Sequence, residues 1–303
     1  MNIGINMTPT GEDAYRDAEW IKETRLLTLA IIKHVDETAT AAEQWGYRVA
    51  QLARIPTAHC FGPVKGGLAV QYLDGISCFE AICLMHATGD NEQTLGLLDA
   101  LLQDVEAFQG AYAQAEHDRP EFHQEPYNVE RKLSEAFALY DPPTSVIWHM
   151  AHNLRRFRLW FESMASVGFR DANPKNCILH NVSRDNLATV PDIPKHRRHI
   201  DFRSIAERTT PADDYLSILL HHYVPREFRD QKLKSLNDLF GEDVVADTSV
   251  IRLARLWGRR KYYHAFRPDL YAQRYTNESG SLRYLSQALE LAGERAIELG
   301  LFQ

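Results

Sequence analysis

Three side chains in the second half of the sequence have the types and spacing for chemistry on a phosphate. Asp171 and Asn176 are separated by four residues in Phe169-Arg170-Asp171-Ala172-Asn173-Pro174-Lys175-Asn176, and Asp201 follows in Ile200-Asp201-Phe202. A carboxylate can orient an attacking hydroxyl. An amide oxygen and a second carboxylate are hard donors that suit octahedral magnesium while leaving positions for phosphate and water. This division predicts Asp171 as the catalytic group and Asn176 and Asp201 as metal ligands. Phosphoryl transfer needs no covalent nucleophile, and the sequence offers no persuasive Ser/His/Asp set. Taken singly, D-x-x-x-x-N also describes a capped turn or a solvated loop, so the weight falls on the ordered set.

A loop presents such groups to one cavity only if rigid elements fix its ends. The apolar spacing predicts a helix over Val146 to Val167 before the loop and a short strand over Asn176 to His180 after it. A second strand is predicted over Arg198 to Phe202, and the polar, Pro-containing connection between the two reads as a long hairpin loop. Upstream, Thr24 to Val35 reads as a buried strand carrying Lys33 near its end. Asp36 or Thr38 could cap a helix running through Ala41, Glu43, Trp45 and Val49 to Arg54, stopped by Pro56. Gly67 to Leu73 reads as another strand, and Asp74-Gly75 as a turn that divides the chain into 1–75 and 76–303. Helical spacing continues over Leu95 to Ala115, Val129 to Tyr140, Asp213 to Tyr223, Val250 to Trp257 and Ser281 to Leu299. The aromatic stripe Trp148, Phe157, Trp160 and Phe161 reads as core.

Composition limits the partners. With 303 residues, 45% of them hydrophobic, the chain can bury a substantial core in one large domain or two lobes. A formal charge of -7 argues against a general electrostatic hold on nucleic acid or anionic membrane. The basic runs Lys195-His196-Arg197-Arg198 and Arg259-Arg260-Lys261 read as solvated faces. Cys60, Cys78, Cys83 and Cys177 form no C-x-x-C pair, which fits a reduced, cytoplasmic setting. No signal-peptide pattern opens the sequence, and its most apolar stretch, Leu26 to Ile32, is too short to span a bilayer. The histidines, including His196, His199, His221 and His222, lack the spacing of a zinc site and read as packing residues.

The ordered motifs resemble the protein-kinase-like superfamily, especially its aminoglycoside phosphotransferase and choline kinase branch. FRDANPKN is similar to the family's H-[GR]-D-x-x-x-x-N catalytic loop, and Ile200-Asp201-Phe202 to its metal-binding aspartate. Pro211-Ala212-Asp213-Asp214-Tyr215-Leu216 is similar to its G-D-P-x-x-D-L-A element, where Asp214 would brace the catalytic loop and Asp213 would cap the helix. The resemblance implies an α+β, bilobal fold, with a small β-rich nucleotide-binding lobe over 1–75 and a mostly helical lobe over 76–303. It further implies that Lys33 contacts the ATP phosphates and pairs with Glu43, and that Gln71-Tyr72-Leu73-Asp74-Gly75 is the hinge that holds adenine, with Gln71 and Leu73 in contact with it. Lys175 would bring positive charge to the transferring phosphate.

Three positions depart from the family pattern. Phe169 replaces the loop histidine. Asn173 stands where the family places lysine or histidine. Met7-Thr8-Pro9-Thr10-Gly11 is the sole candidate for a Gly-rich phosphate loop. The implied activity is an ATP-dependent, Mg2+-requiring kinase acting on a hydroxyl of a small molecule, of aminoglycoside, choline or sugar type. The stretch between Asp201 and Asp214 leaves little room for an activation segment and contains no A-P-E, which favours a small acceptor over a protein. Tyr262, Tyr263 and His264 mark an acceptor region. The rival readings are a protein or lipopolysaccharide-type kinase, and a pseudokinase serving as a binding module.

Overall fold

The computed structural model describes residues 18–22, 29–34, 37–65, 67–115, 172–202, 210–221 and 223–246, with scattered positions from 248 to 274 and residue 291. The predicted helices at 129–140, 146–167 and 281–299 lie outside these residues, apart from the single position 291. So does the predicted helix at 250–257, apart from Arg252.

The fold is α+β. Strands β1 (Ala18–Lys22), β2 (Leu29–His34), β3 (Cys60–Val64) and β4 (Gly67–Gln71) form an antiparallel sheet in the order β1-β2-β4-β3. Helix α1 (Glu37–Leu52) is inserted between β2 and β3. It ends at Leu52, two residues short of the expected end near Arg54. Arg54 adopts a left-handed conformation (φ 58°), the Ile55 amide closes back on the Ala50 carbonyl at 2.8 Å, and Pro56 prevents continuation. The helix buries Ala42, Trp45, Tyr47, Val49 and Ala50, which supplies its stability through packing of one face.

A second antiparallel sheet, in the order β5-β6-β7, joins β5 (Gly75–Ser77) to β6 (Cys177–His180) and β7 (Arg197–His199). Asp74-Gly75 therefore opens a strand instead of forming a free turn. Glycine is required there, because a Cβ at Gly75 (φ +155°) would lie 2.0 Å from the Leu179 carbonyl oxygen. β6 and β7 form the predicted hairpin, with short 3-10 turns at Leu187–Thr189 and Ile193–His196 in its connection. β7 stops at His199, so Asp201 stands just beyond the strand.

Two helices follow β5 directly. Ser77 caps α2 (Cys78–Thr88) by accepting the Glu80 amide at 3.2 Å, and Gly89 (φ 78°) ends it. Asp90 then caps α3 (Asn91–Ala115) by accepting the Gln93 amide at 3.2 Å. Later come α4 (Pro211–Leu219), α5 (Arg226–Phe240) and α6 (Pro268–Arg274). The sequence reading had no helix at α2 or α5. α2 is apolar nearly all round, so it lacks a periodic stripe, and α5 is so polar that few residues mark its buried face.

The chain divides into two compact units, Met1–Gln124 with Val167–Glu207, and Glu125–Ser166 with Arg208–Gln303. Both sheets and α1 to α3 belong to the first. The boundary expected at Asp74-Gly75 would instead run between the two sheets. No helix among the described residues is long and apolar enough to cross a membrane.

Candidate active site

Lys33 reaches the site from β2, an inner strand of the first sheet. The residue is buried (8% exposed), and three groups gather at its ammonium. Nζ pairs with Oε1 of the fully buried Glu43 on α1, donates to Asp201 Oδ1 at 3.2 Å and approaches the Ile200 carbonyl at 3.4 Å. Burial pushes the Lys33 ammonium down, but Asp201 and Glu43 more than offset this and hold it above its ordinary value. Lys33 is therefore charged at neutral pH, and the two carboxylates share one cation.

The residues that carry Asp201 are fixed on every side. The Tyr47 hydroxyl on α1 donates to the Ile200 carbonyl at 2.8 Å. Phe202 is fully buried, with its ring 4.7 Å edge-on from Tyr47 and stacked 5.8 Å from Phe108 on α3. Gly46 lets α1 come this close, because a Cβ there would sit 2.3 Å from the Phe202 Cβ. The Ile200 amide donates to the Asn176 carbonyl at 3.1 Å, extending the β6-β7 ladder by one step. Asn176 and Asp201 thus lie at the same end of one hairpin.

Asn176 closes a 3-10 turn, Pro174–Asn176. Asn173 caps this turn, its side chain accepting the Lys175 amide at 3.0 Å and its carbonyl the Asn176 amide at 2.8 Å. Asn173 thus serves as a brace for the loop. The Lys175 ammonium stands 4.8 Å over the Phe79 ring on α2. At the end of β4, the half-buried Gln71 takes the His59 amide on its side chain at 3.1 Å, and its own amide donates to the His59 carbonyl at 2.8 Å. Leu73 is buried, and the Asp74 carbonyl accepts the Asn181 amide at 2.8 Å.

Asp171, the predicted catalytic group, lies outside the described residues, as do Met7 to Gly11, Tyr262 and Tyr263. His264 is exposed, its ring 4.8 Å edge-on from Tyr271. In the second unit Asp213 and Asp214 are both buried in the first turn of α4. The capping position belongs to Thr210, while Asp213 pairs with Arg252, whose Nη1 also donates to the Asp213 carbonyl at 3.1 Å. Asp213 is accordingly an ion-pair partner and not the cap expected from the sequence.

A second polar cluster borders the site. The buried Asp104 on α3 accepts Arg197 Nε at 2.6 Å, Arg197 Nη2 at 2.8 Å and His199 Nε2 at 2.9 Å. Burial disfavours the Asp104 carboxylate, but the bonds from Arg197 and His199 outweigh it and hold it below its ordinary value. Burial likewise pushes His199 down, whereas Cys177 and Asp104 raise it to about 10. Burial raises the Cys177 thiol well above its ordinary value. The sequence reading placed Arg197 on a solvated face. The structure corrects this, since a guanidinium bonded through two nitrogens to a buried carboxylate is a structural pair. The only sequence signal for the cluster was an Asp on an otherwise apolar face of α3.

Among the described residues no group of three or more His, Cys, Asp and Glu side chains could hold a metal ion. Asp201 and Asn176 bring a carboxylate and an amide oxygen, the hard donor types that magnesium takes. The chain matches no protein-family model and no curated protein.

Proposed function

We propose that the protein is an ATP-dependent phosphotransferase of the bilobal protein-kinase-like type, which transfers phosphate to a hydroxyl group of a small molecule. The observation that carries this reading is the Lys33 ammonium, held between Glu43 on α1 and Asp201 beyond β7. Two carboxylates from separate elements give a cation that can exchange one partner for an incoming anion while keeping the other. Glu43, fully buried, retains the lysine; Asp201, at 15% side-chain exposure, is the partner open to exchange.

In this reading a nucleotide phosphate would sit beside Lys33 and take the place of Asp201 at the ammonium. Asn176 and Asp201 would hold magnesium, which when bound supplies neutralising charge to the phosphates. Asp171 would orient the acceptor hydroxyl and receive its proton. Leu73, at the turn between the two sheets, would offer its backbone to adenine. The short span between Asp201 and Asp214 favours a small acceptor.

The first test is thermal unfolding with and without millimolar ATP and Mg2+. A ligand at about 100 times its Kd stabilises the native state by about 2.7 kcal/mol, so a rise of several degrees is expected. No shift would overturn the nucleotide-binding reading. If ATP binds, Asp171→Asn should reduce transfer from labelled ATP to a panel of hydroxyl compounds at least a hundredfold and leave the ATP-induced shift intact. Unchanged turnover in that variant removes Asp171 from the mechanism.

A further inference from the structure

Asp201 is presented by a short piece of chain with little secondary structure of its own. β7 has three residues and ends at His199, and Ile200 to Phe202 belong to no helix or strand. Something outside this segment must fix its place. The backbone does part of the work: the His199 amide donates to the Pro56 carbonyl at 2.9 Å, and the Ala58 amide donates to the His199 carbonyl at 3.0 Å. On its other side His199 is in register with Cys177 of β6.

The Tyr47 hydroxyl on α1 adds a bond to the Ile200 carbonyl, and a further grip on both sides of Asp201 comes from α3. Asp104 takes the side chains of Arg197 and His199, before Asp201, and Phe108 stacks on Phe202, directly after it. Asp104 and Phe108 are four residues apart, one turn along the same face of the helix. One rigid helix therefore holds the chain on both sides of Asp201. The bidentate bond to Arg197 fixes direction as well as distance, because a planar guanidinium and a carboxylate meet in one relative orientation.

We propose that Asp104 is a positioning residue for Asp201: by gripping Arg197 and His199 it sets where the end of β7 presents the carboxylate that would hold magnesium. The metal role of Asp201 rests on the phosphotransferase reading, but the grip on the segment does not. Asp104 itself touches neither nucleotide nor metal. Its loss should loosen the presentation of one ligand while leaving Lys33, Glu43 and the hinge as they are.

The test uses the full chain with Asp104→Asn, which keeps the shape and removes the charge. In the ligand-free protein, hydrogen exchange of peptides covering 197–202 should accelerate at least tenfold, with β2 and β4 unchanged. In the presence of ATP, the Mg2+ concentration giving half the maximal melting shift should rise about tenfold, while any shift given by ATP without metal stays the same. Equal exchange at 197–202 in variant and parent overturns the proposal, and so does an unchanged Mg2+ requirement in a parent that binds ATP with Mg2+. If the parent shows no response to ATP with Mg2+, the phosphotransferase reading fails and the exchange result alone decides the role of Asp104. Should Asp104→Asn not fold, Arg197→Gln removes the more exposed half of the grip and leaves the Asp104–His199 bond. It is judged by the same two readouts, with smaller increases expected.

Discussion

Lys33 carries more of the site's electrostatics than any other residue, because one buried cation offsets two carboxylates. Replacing it with methionine keeps much of its length and takes from the buried Glu43 the ammonium it pairs with. Breaking a buried pair in this way costs about 3 to 5 kcal/mol. Lys33→Met should therefore lower the urea midpoint substantially as well as remove ATP-dependent stabilisation. A variant with parental stability would show that Glu43 is neutralised elsewhere. The pairing of Lys33 with Glu43 was legible in the sequence because each sits at a fixed place in an ordered series of motifs, whereas the bond from Lys33 to Asp201 was not. Nor were Asp104 and His199. Their role depends on α3 lying beside β7, and a pairing between residues 95 positions apart leaves no local periodicity to read. Tyr47 was hidden for the same reason, as its hydroxyl finds its partner only after the hairpin has docked.

Close approaches govern the elements, and small residues permit them. Gly46→Ala would place a Cβ 2.3 Å from the Cβ of Phe202, an atom too near the backbone to swing aside. Overpacking of this kind costs about 1 to 3 kcal/mol, and α1 would have to shift away from the hairpin. The expected outcome is a lower melting temperature together with weaker ATP-dependent stabilisation, because Glu43 rides on the same helix. Gly75→Ala should be at least as damaging, since its Cβ would meet the Leu179 carbonyl at 2.0 Å and part β5 from β6. Thermal unfolding of the two variants checks both statements. β2, α1, β4 and the β6-β7 hairpin followed from apolar runs and turn residues. The strands β1, β3 and β5 did not. β3 is largely exposed, so it lacks the apolar alternation that marks a strand, and β5 is only three residues long.

For the molecule as a whole, the Asp104 cluster ties stability to pH from both directions. Asp104 has its carboxyl lowered in the folded state, so its contribution is complete above the usual carboxylate range and is lost as pH falls through the lowered value. His199 is raised to about 10, so its contribution is complete below its ordinary value near 6.5 and disappears as pH climbs toward 10. Urea unfolding between about pH 3 and about pH 10, a range set by the usual carboxylate value and the raised histidine, should show both limbs. Asp104→Asn should remove the acidic limb and shrink the alkaline one, since the amide side chain it introduces does not titrate and withdraws one of the two partners that raise His199. A variant that keeps the alkaline limb at full size would assign it to another group.

The second sheet has a consequence for how the protein acquires its site. In the first sheet β1 pairs with β2 and β3 with β4 as neighbours along the chain, so those hairpins can form as soon as they are synthesised. β5 must wait for β6, because Gly75 pairs with His180, about a hundred positions later, and closing a span of that size carries an entropic cost before any contact rewards it. Lys33 and Glu43 precede that closure, whereas Asn176 and Asp201 arrive with it. During synthesis the emerging chain therefore holds half of an ion-pair network for some time, and the lysine gains its second carboxylate only when the ribosome has delivered the hairpin.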